Sequence, residues 1–253
     1  MSTTNVGLIL AAGNGRRIAA VSGELPKPLV QLHGKPLLEH VIRDAHAAGI
    51  DRFVIVVGYR GHTIQKWYED RPLPNVHVTW VENPDYHKNN GISVLQARRV
   101  IHEPFLLLMA DHIFEPNTAR ALLDNPLGEK EVILAVDKNI NRVFDLDDAT
   151  KVKMHGHRIV NIGKTLKRYD ALDTGMFHCS PSLFQWLESA KSNDNCSLSD
   201  GLRLMARKGT FKGFDIGDAH WQDTDTPEAL ECASQTFPVP LSSSQHPTGL
   251  VYA

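Results

Sequence analysis

The sequence predicts an α/β fold, a Rossmann-like, doubly wound mixed sheet with a C-terminal antiparallel part. Three observations carry this. Short continuous apolar runs recur (VGLILA at 6–11, RFVIVV at 52–57, FLLLM at 105–109, VILAV at 132–136), as strands buried on both faces of a parallel sheet require. Helical stretches alternate with them, the rhythm of crossover-connected strands. After residue 136 the rhythm shifts to closely spaced strands around His155-Gly156-His157, a turn signal.

Each element follows in order. Residues 6–11 make the first strand, and a loop bearing glycine and arginine comes next. Residues 36–48 read as a helix, with Pro36 in the first turn and Gly49 past the end. A strand at 52–57, a helix at 62–69, a strand at 76–81 and a helix at 93–101 continue the pattern. The strand at 105–109, a helix at 117–123 and the strand at 132–136 complete a nucleotide-type half, 1–136. In the second half, 137–236, segments 151–154 and 158–162 form a hairpin. A strand at 173–178, helices at 181–191 and 198–208, a strand at 211–216 and a helix at 227–234 follow it. Together 1–236 read as one domain. The stretch 237–253, rich in Pro and Ser, reads as a linker or disordered tail.

Composition narrows the function. A chain of 253 residues is long enough to fold without disulfides or a metal. With 42% apolar and 22% charged residues it is neither disordered nor fibrous. Its 27 basic and 29 acidic residues give a net charge of −2, which argues against nucleic acid as a partner. Cys179, Cys196 and Cys232 cannot all pair and lack Cys-x-x-Cys spacing, which points to a reducing, cytoplasmic setting. The longest apolar run, 6–12, is far short of a membrane span, and residues 1–5 lack the basic start of a signal peptide.

Four motifs carry chemistry. Leu10-Ala11-Ala12-Gly13-Asn14-Gly15-Arg16-Arg17 follows the first strand. Such a loop offers backbone N–H groups and arginine charge to a phosphate, although a plain tight turn with surface arginines fits it equally. It is not a dinucleotide fingerprint, because Ile18 stands where a third glycine belongs, and Gly34-Lys35-Pro36 is not a Walker loop. Lys27 sits between Pro26 and Pro28, which stiffen it toward a triphosphate or leave it a solvated lysine. Asp111 ends the 105–109 strand, where ligands of doubly wound sheets bind, and suits either Mg²⁺ or a helix N-cap. In Trp221-Gln222-Asp223-Thr224-Asp225-Thr226-Pro227, Asp223 suits a second Mg²⁺ ligand, and Asp225 or Thr226 suits a helix cap. Asn90, Gly91 and Ser93 read as base contacts or helix caps. Lys151, Lys164 and Lys167 read as an acceptor-phosphate set or a solvated face, and no zinc constellation stands out among the thirteen histidines.

In combination and in order, these motifs resemble the nucleotidyltransferases that activate phosphorylated sugars and alcohols. The resemblance covers about 6–233 and is strongest to the CTP-dependent branch that includes inositol-1-phosphate cytidylyltransferases. It is carried there by Val81-Glu82-Asn83-Pro84, Asn90-Gly91-Ile92-Ser93, Asp111-His112, Asp147-Asp148-Ala149-Thr150-Lys151-Val152, Ile162-Gly163-Lys164 and Asp173-Thr174-Gly175. Phosphocholine and 2-aminoethylphosphonate cytidylyltransferases share much of the pattern. The resemblance implies that Leu10, Ala11, Ala12, Gly13, Asn14 and Gly15 line the nucleotide. It implies that Arg17 and Lys27 hold the triphosphate, and that Glu82, Asn90, Gly91 and Ser93 lie near the cytosine or ribose. Asp111 and Asp223 would hold Mg²⁺, and Lys151, Lys164 and Asp173 would face the acceptor. The partners implied are CTP and a small phosphorylated or phosphonate acceptor, with a homodimer or a fused downstream domain compatible with it. A non-catalytic nucleotide sensor would keep the glycine loop but lose the carboxylates, and the missing third glycine disfavours an NAD-dependent oxidoreductase.

Overall fold

The computed structural model describes residues 4–18 and 23–237. The predicted tail at 237–253 lies, apart from Phe237, outside the described residues.

One nine-stranded mixed sheet runs through the molecule. Its strands are β1 (Val6–Ala11), β4 (Arg52–Val57), β5 (His77–Glu82), β6 (Phe105–Met109), β8 (Val132–Asp137), β9 (Lys151–His155), β10 (Arg158–Gly163), β11 (Ala171–Cys179) and β12 (Phe211–Asp215). Two strand pairs stand beside it, β2 (Gln31–Leu32) with β3 (Lys35–Pro36), and β7 (His112–Phe114) with β13 (Trp221–Asp223). The order across the large sheet is β5-β4-β1-β6-β11-β8-β12-β10-β9. The apolar runs of β1, β4, β6 and β8 are buried because helices cover both faces. One face carries α1 (Leu37–Ala47), α2 (Gly61–Glu69) and α4 (Pro116–Leu123), and the other carries α3 (Asn90–Gln96), α5 (Ser182–Ala190) and α6 (Leu198–Lys208). The last helix, α7 (Pro227–Thr236), packs Ala233 beside Ile18, Leu32 and Ile113.

Local chemistry explains the clearest boundaries. α6 begins at a reciprocal cap, in which Ser197 Oγ accepts from the Asp200 backbone N–H and Asp200 accepts from that of Ser197. It ends at Gly209, whose φ of 72° is the left-handed conformation that glycine takes at low cost. Gly156 (φ 61°) turns the β9–β10 hairpin.

Three expectations need correction. The helix expected at 93–101 begins three residues earlier, and its end tightens into a 3₁₀ turn at Ala97–Arg99. The second half is not uniformly antiparallel, since β12 runs parallel to β8. The packed helices α5 and α6 return the chain to the end of the sheet it left, so β12 starts beside Val132, where β8 starts. Strands of the two halves also interleave, because β11 lies between β6 and β8 and runs antiparallel to both.

β1 pairs with β4 on one side and β6 on the other, all parallel. The strand order therefore reverses between β1 and β6, and a crevice opens past their carboxyl ends. Ala12–Gly15 and Asp111 emerge there.

Candidate active site

The glycine loop and Lys27 fit together by shape. Gly15 has φ 58°, and a Cβ there would stand 2.7 Å from Lys27 Cβ, so only glycine lets the lysine stem lie against the loop. Lys27 opens a 3₁₀ turn (Lys27–Leu29) braced by Pro26 and Pro28 and is buried, at 5% exposure. This excludes the solvated reading. Its Nζ donates to Asp111 Oδ2 (2.7 Å) and to Asp225, and lies 3.7 Å from Asp223 Oδ1. Arg17, half-exposed, donates to Asp148 Oδ2 (2.6 Å) and to Asp225.

Asp111 and Asp223 converge although 112 positions separate them. Asp111 lies in the turn between β6 and β7, and α4 starts later, with Glu115 at its N-cap, so Asp111 caps no helix. Thr224 clamps it from the other side, its backbone N–H (3.0 Å) and Oγ1 (2.8 Å) both donating to the Asp111 carbonyl. Antiparallel pairing of β7 and β13 sets Asp223 opposite His112. One donor atom each from Asp111, His112 and Asp223 falls within 4.8 Å of the others, and Asp148, Asp223 and Asp225 make a second such group.

The electrostatics follow from crowding. Burial alone would depress the Lys27 ammonium pKa, but Asp111, Asp223 and Asp225 outweigh it and hold the lysine charged well above its ordinary range. Burial alone would raise Asp111, and Lys27 with His112 pulls it well below the usual carboxylate range. For His112, burial is overcome by Asp223 and Asp111, and its pKa rises to about 9. Asp223 is pushed up by burial, reinforced by Asp111 and Asp225. Its Oδ1 is buried and has no hydrogen-bond partner among the described residues. An orphaned carboxylate oxygen among hard oxygen donors fits a divalent cation such as Mg²⁺.

A cavity of about 590 Å³ adjoins this cluster. Leu10, Ala12, Gly13, Asn90, Ser93, Asp111, Asp173, Lys164 and Asp223 are among the residues that line it. Ala11, Asn14, Gly15, Arg17 and Lys27 line a neighbouring cleft that shares Asp111. Most of the predicted site residues are thus brought together.

Glu82, Lys151 and Gly91 are placed differently from the reading of them. Glu82 is exposed at the end of β5 and is not among the residues lining the cavity. Lys151 is buried, donates to the Asp147 carbonyl (2.8 Å) and ties down its own loop instead of facing an acceptor. Asn90 Oδ1 accepts from the Leu198 backbone N–H (2.8 Å), pinning the start of α6, although Asn90 also lines the cavity. Gly91 packs under Cys196, where a Cβ would come within 2.6 Å of the Cys196 carbonyl oxygen. Ser93 lines the cavity while accepting from Asn83 Nδ2 (2.9 Å). Lys164 donates to Asp148 Oδ1 (2.6 Å). Asp173, raised by burial to about 6, accepts from the Gly175 N–H (2.8 Å).

Sequence reasoning left Asp225 as a cap candidate. Thr226 is the cap of α7, accepting from Ala229 N (3.1 Å), which frees Asp225 to bridge Arg17 and Lys27. No sequence signal separates Asp225 from Thr226. His112 was read only as part of a resemblance, and its stacking on Trp221 has no sequence signal.

The crevice, glycine loop and paired carboxylates define a nucleotide-handling domain, and the chain belongs to the MobA-like NTP transferase domain family, whose model matches residues 7–195. Among its relatives is a bifunctional IPC transferase and DIPP synthase of Rubrobacter xylanophilus, 39% identical over 230 residues, which span 90% of this chain and 50% of that protein. A 2-aminoethylphosphonate cytidylyltransferase of Lancefieldella rimae is 35% identical over 165 residues, 62% of this chain and 60% of that protein. The solved inositol-1-phosphate CTP transferase from T. maritima superposes with a TM-score of 0.82 at 28% identity, covering 93% of this chain and 95% of that one. The chain spans about half the length of the bifunctional relatives it matches. No helix among the described residues is long and apolar enough to cross a membrane.

Proposed function

We propose that this chain is a cytidylyltransferase that moves CMP from CTP to the phosphate of a small polar alcohol and releases pyrophosphate, with inositol 1-phosphate as the acceptor. The observation that carries the reading is the cluster in which Lys27 lies 2.7 Å from Asp111 and 3.7 Å from Asp223, beside the glycine loop and the cavity. The inositol-1-phosphate CTP transferase and the bifunctional relatives support the choice of CTP and of acceptor. The three free cysteines support a cytoplasmic setting.

In this mechanism an oxygen of the acceptor phosphate bonds to the α-phosphorus of CTP. The bond from that phosphorus to the bridging oxygen breaks, and its electron pair leaves on pyrophosphate. A phosphate monoester is mostly dianionic at pH 7, so no protein base is needed. Two unit charges about 4 Å apart repel by about 4 kcal/mol at an effective dielectric of 20, and the site must offset this. The backbone from Ala12 to Gly15 cradles the triphosphate, with Arg17 and Lys27 turning from their carboxylates toward it. Asp111 and Asp223 would hold Mg²⁺, which when bound would supply positive charge against the triphosphate. Lys164 and Asp173 orient the acceptor, the lysine toward its phosphate and the carboxyl toward its hydroxyls. Residues 1–136 and 137–236 work as one unit, because the cavity draws on both.

A pyrophosphate-release screen tests this. Four nucleoside triphosphates are crossed with inositol 1-phosphate, phosphocholine, 2-aminoethylphosphonate and glucose 1-phosphate, with Mg²⁺ present. Release only with CTP and inositol 1-phosphate is expected. Release with a different pair reassigns the substrates, and no release with any pair removes the enzyme reading.

A further inference from the structure

Asp111, and the β13 backbone that carries Asp223, are held by a chain of contacts that runs along the cavity wall, since His112, Trp221, Asp137 and Arg142 all line that cavity. His112 Nδ1 lies 3.0 Å from Asp111 Oδ1, while Asp111 Oδ2 takes the Lys27 ammonium, so both oxygens of that carboxylate are fixed. The imidazole stacks on the Trp221 indole, with centroids 5.9 Å apart and planes 7° from parallel. Strand register imposes this stack. His112 pairs with Asp223, and Trp221 stands two residues before Asp223 on the same face of β13. From a third direction Gly175 closes in, where a Cβ would stand 2.7 Å from His112 Cδ2. The far edge of the indole is tied as well, since Trp221 Nε1 donates to Asp137 Oδ2 (3.0 Å). Asp137 is fully buried, receives Arg142 Nε and Nη2 (3.2 Å each) and accepts from the Asn139 N–H (2.8 Å). Arg142 in turn donates to the carbonyls of Gly217, Asp218 and Ala219 just ahead of β13.

Asp137 therefore has every reason to be rigid, and only one of its bonds points toward the carboxylates. A buried carboxylate at the end of β8, paired with the more exposed Arg142, is linked through one indole and one imidazole to the group that holds the cation. We propose that Asp137, Trp221 and His112 are positioning residues that aim the Asp111 carboxylate and fix the β7–β13 pair that carries Asp223, and so set how tightly the site binds a divalent cation. The inference rests on the reading of Asp111 and Asp223 as the cation-holding pair. Outer contacts of this kind change metal affinity by about 10–100-fold when lost.

The test is direct binding of Mn²⁺ alone, followed by loss of the free-ion electron paramagnetic resonance signal, with melting curves alongside. Trp221→Phe keeps a ring over His112 but removes the bond to Asp137, and it leaves the Asp137–Arg142 pair in place. It is expected to weaken Mn²⁺ binding about tenfold without lowering the melting temperature. His112→Ala should weaken binding further, and His112→Asn, which keeps a donor near the Nδ1 position, should recover part of the loss. The Mg²⁺ concentration for half-maximal pyrophosphate release should rise in the same order. Wild-type Mn²⁺ affinity in both Trp221→Phe and His112→Ala, with binding lost in Asp223→Asn, overturns the inference and leaves the cation site standing. Wild-type affinity in Asp223→Asn overturns the cation site and the inference together.

Discussion

Replacing Lys27 with methionine separates the stabilising from the catalytic work of one ammonium group. The side chain keeps its length, and the charge disappears from the centre of Asp111, Asp223 and Asp225. Breaking a buried ion pair by removing one partner costs about 3–5 kcal/mol. The cluster has an escape, because a stranded carboxylate can take up a proton. At pH 7 that costs about 4 kcal/mol from an ordinary pKa of 3.8, at 1.36 kcal/mol per unit, which caps the penalty per carboxylate. Lys27→Met should thus lose about 3–4 kcal/mol in urea unfolding at pH 7 without added cation. The sign with pH is fixed. Asp223, already raised by burial, then has a folded pKa further above its unfolded one, so the penalty is full at high pH and shrinks as pH falls toward 3.8. At pH 5 it should be about 2 kcal/mol. Millimolar Mg²⁺ should recover part of the loss, since it restores positive charge among the carboxylates. Turnover should stay about 100–1000-fold down with Mg²⁺ present, the cost of losing about 2.7–4 kcal/mol at a developing charge. A variant as stable as wild type at pH 7, or with turnover within about tenfold, refutes the reasoning.

Other expectations follow from the same geometry. Asp223→Asn removes a carboxyl that burial and its neighbours already push up, so the cation-free protein should melt no lower than wild type while pyrophosphate release falls by at least about 100-fold. Arg17 is half-exposed and makes surface-type pairs, so Arg17→Ala should cost under about 1 kcal/mol of stability, with the defect appearing in kcat/KM. His178 is buried, with Nε2 against Thr4 Oγ1, and burial drops its pKa to about 4. Its unfolded state takes a proton near 6.5, so stability falls as pH drops from about 6.5 to 4, by about 3 kcal/mol. His178→Gln should flatten that part of the stability profile by a comparable amount, and an imidazole resonance titrating near 6.5 in the folded protein removes the argument. Ser197→Ala should cost about 1 kcal/mol by opening the cap of α6.

The parts of the fold legible in sequence are those whose cause is local. β1 and β6 read correctly because strands covered on both faces need unbroken apolar runs, and α6 reads residue for residue because Ser197, Asp200 and Gly209 mark its ends. β7 and β13 have three residues each and pair across more than 100 positions, so nothing in either segment announces the other. The site is less legible for the same reason. Lys27, between two prolines, reads equally as a solvated lysine, and only its burial against the glycine loop and the carboxylates decides the matter. Asp225 and Thr226 are equally good caps on paper, and only the approach of Lys27 and Arg17 tells them apart. Lys151 misleads because, grouped with Lys164 and Lys167, it reads as an acceptor-phosphate contact or a solvated face, whereas it is buried and its ammonium is spent on the Asp147 carbonyl.

The insertion of β11 between β6 and β8 sets a constraint on biosynthesis. β6 and β8 do not pair, and both neighbours of β8 come later in the chain, so when residue 137 leaves the ribosome one edge of β6 and both edges of β8 are still unfilled. The edge of β6 and one edge of β8 wait until residue 179 emerges, more than 40 residues later, and the other edge of β8 waits for β12. A fragment ending near 137 should therefore aggregate instead of folding, and the intact chain should close its middle late, around the last long strand to arrive.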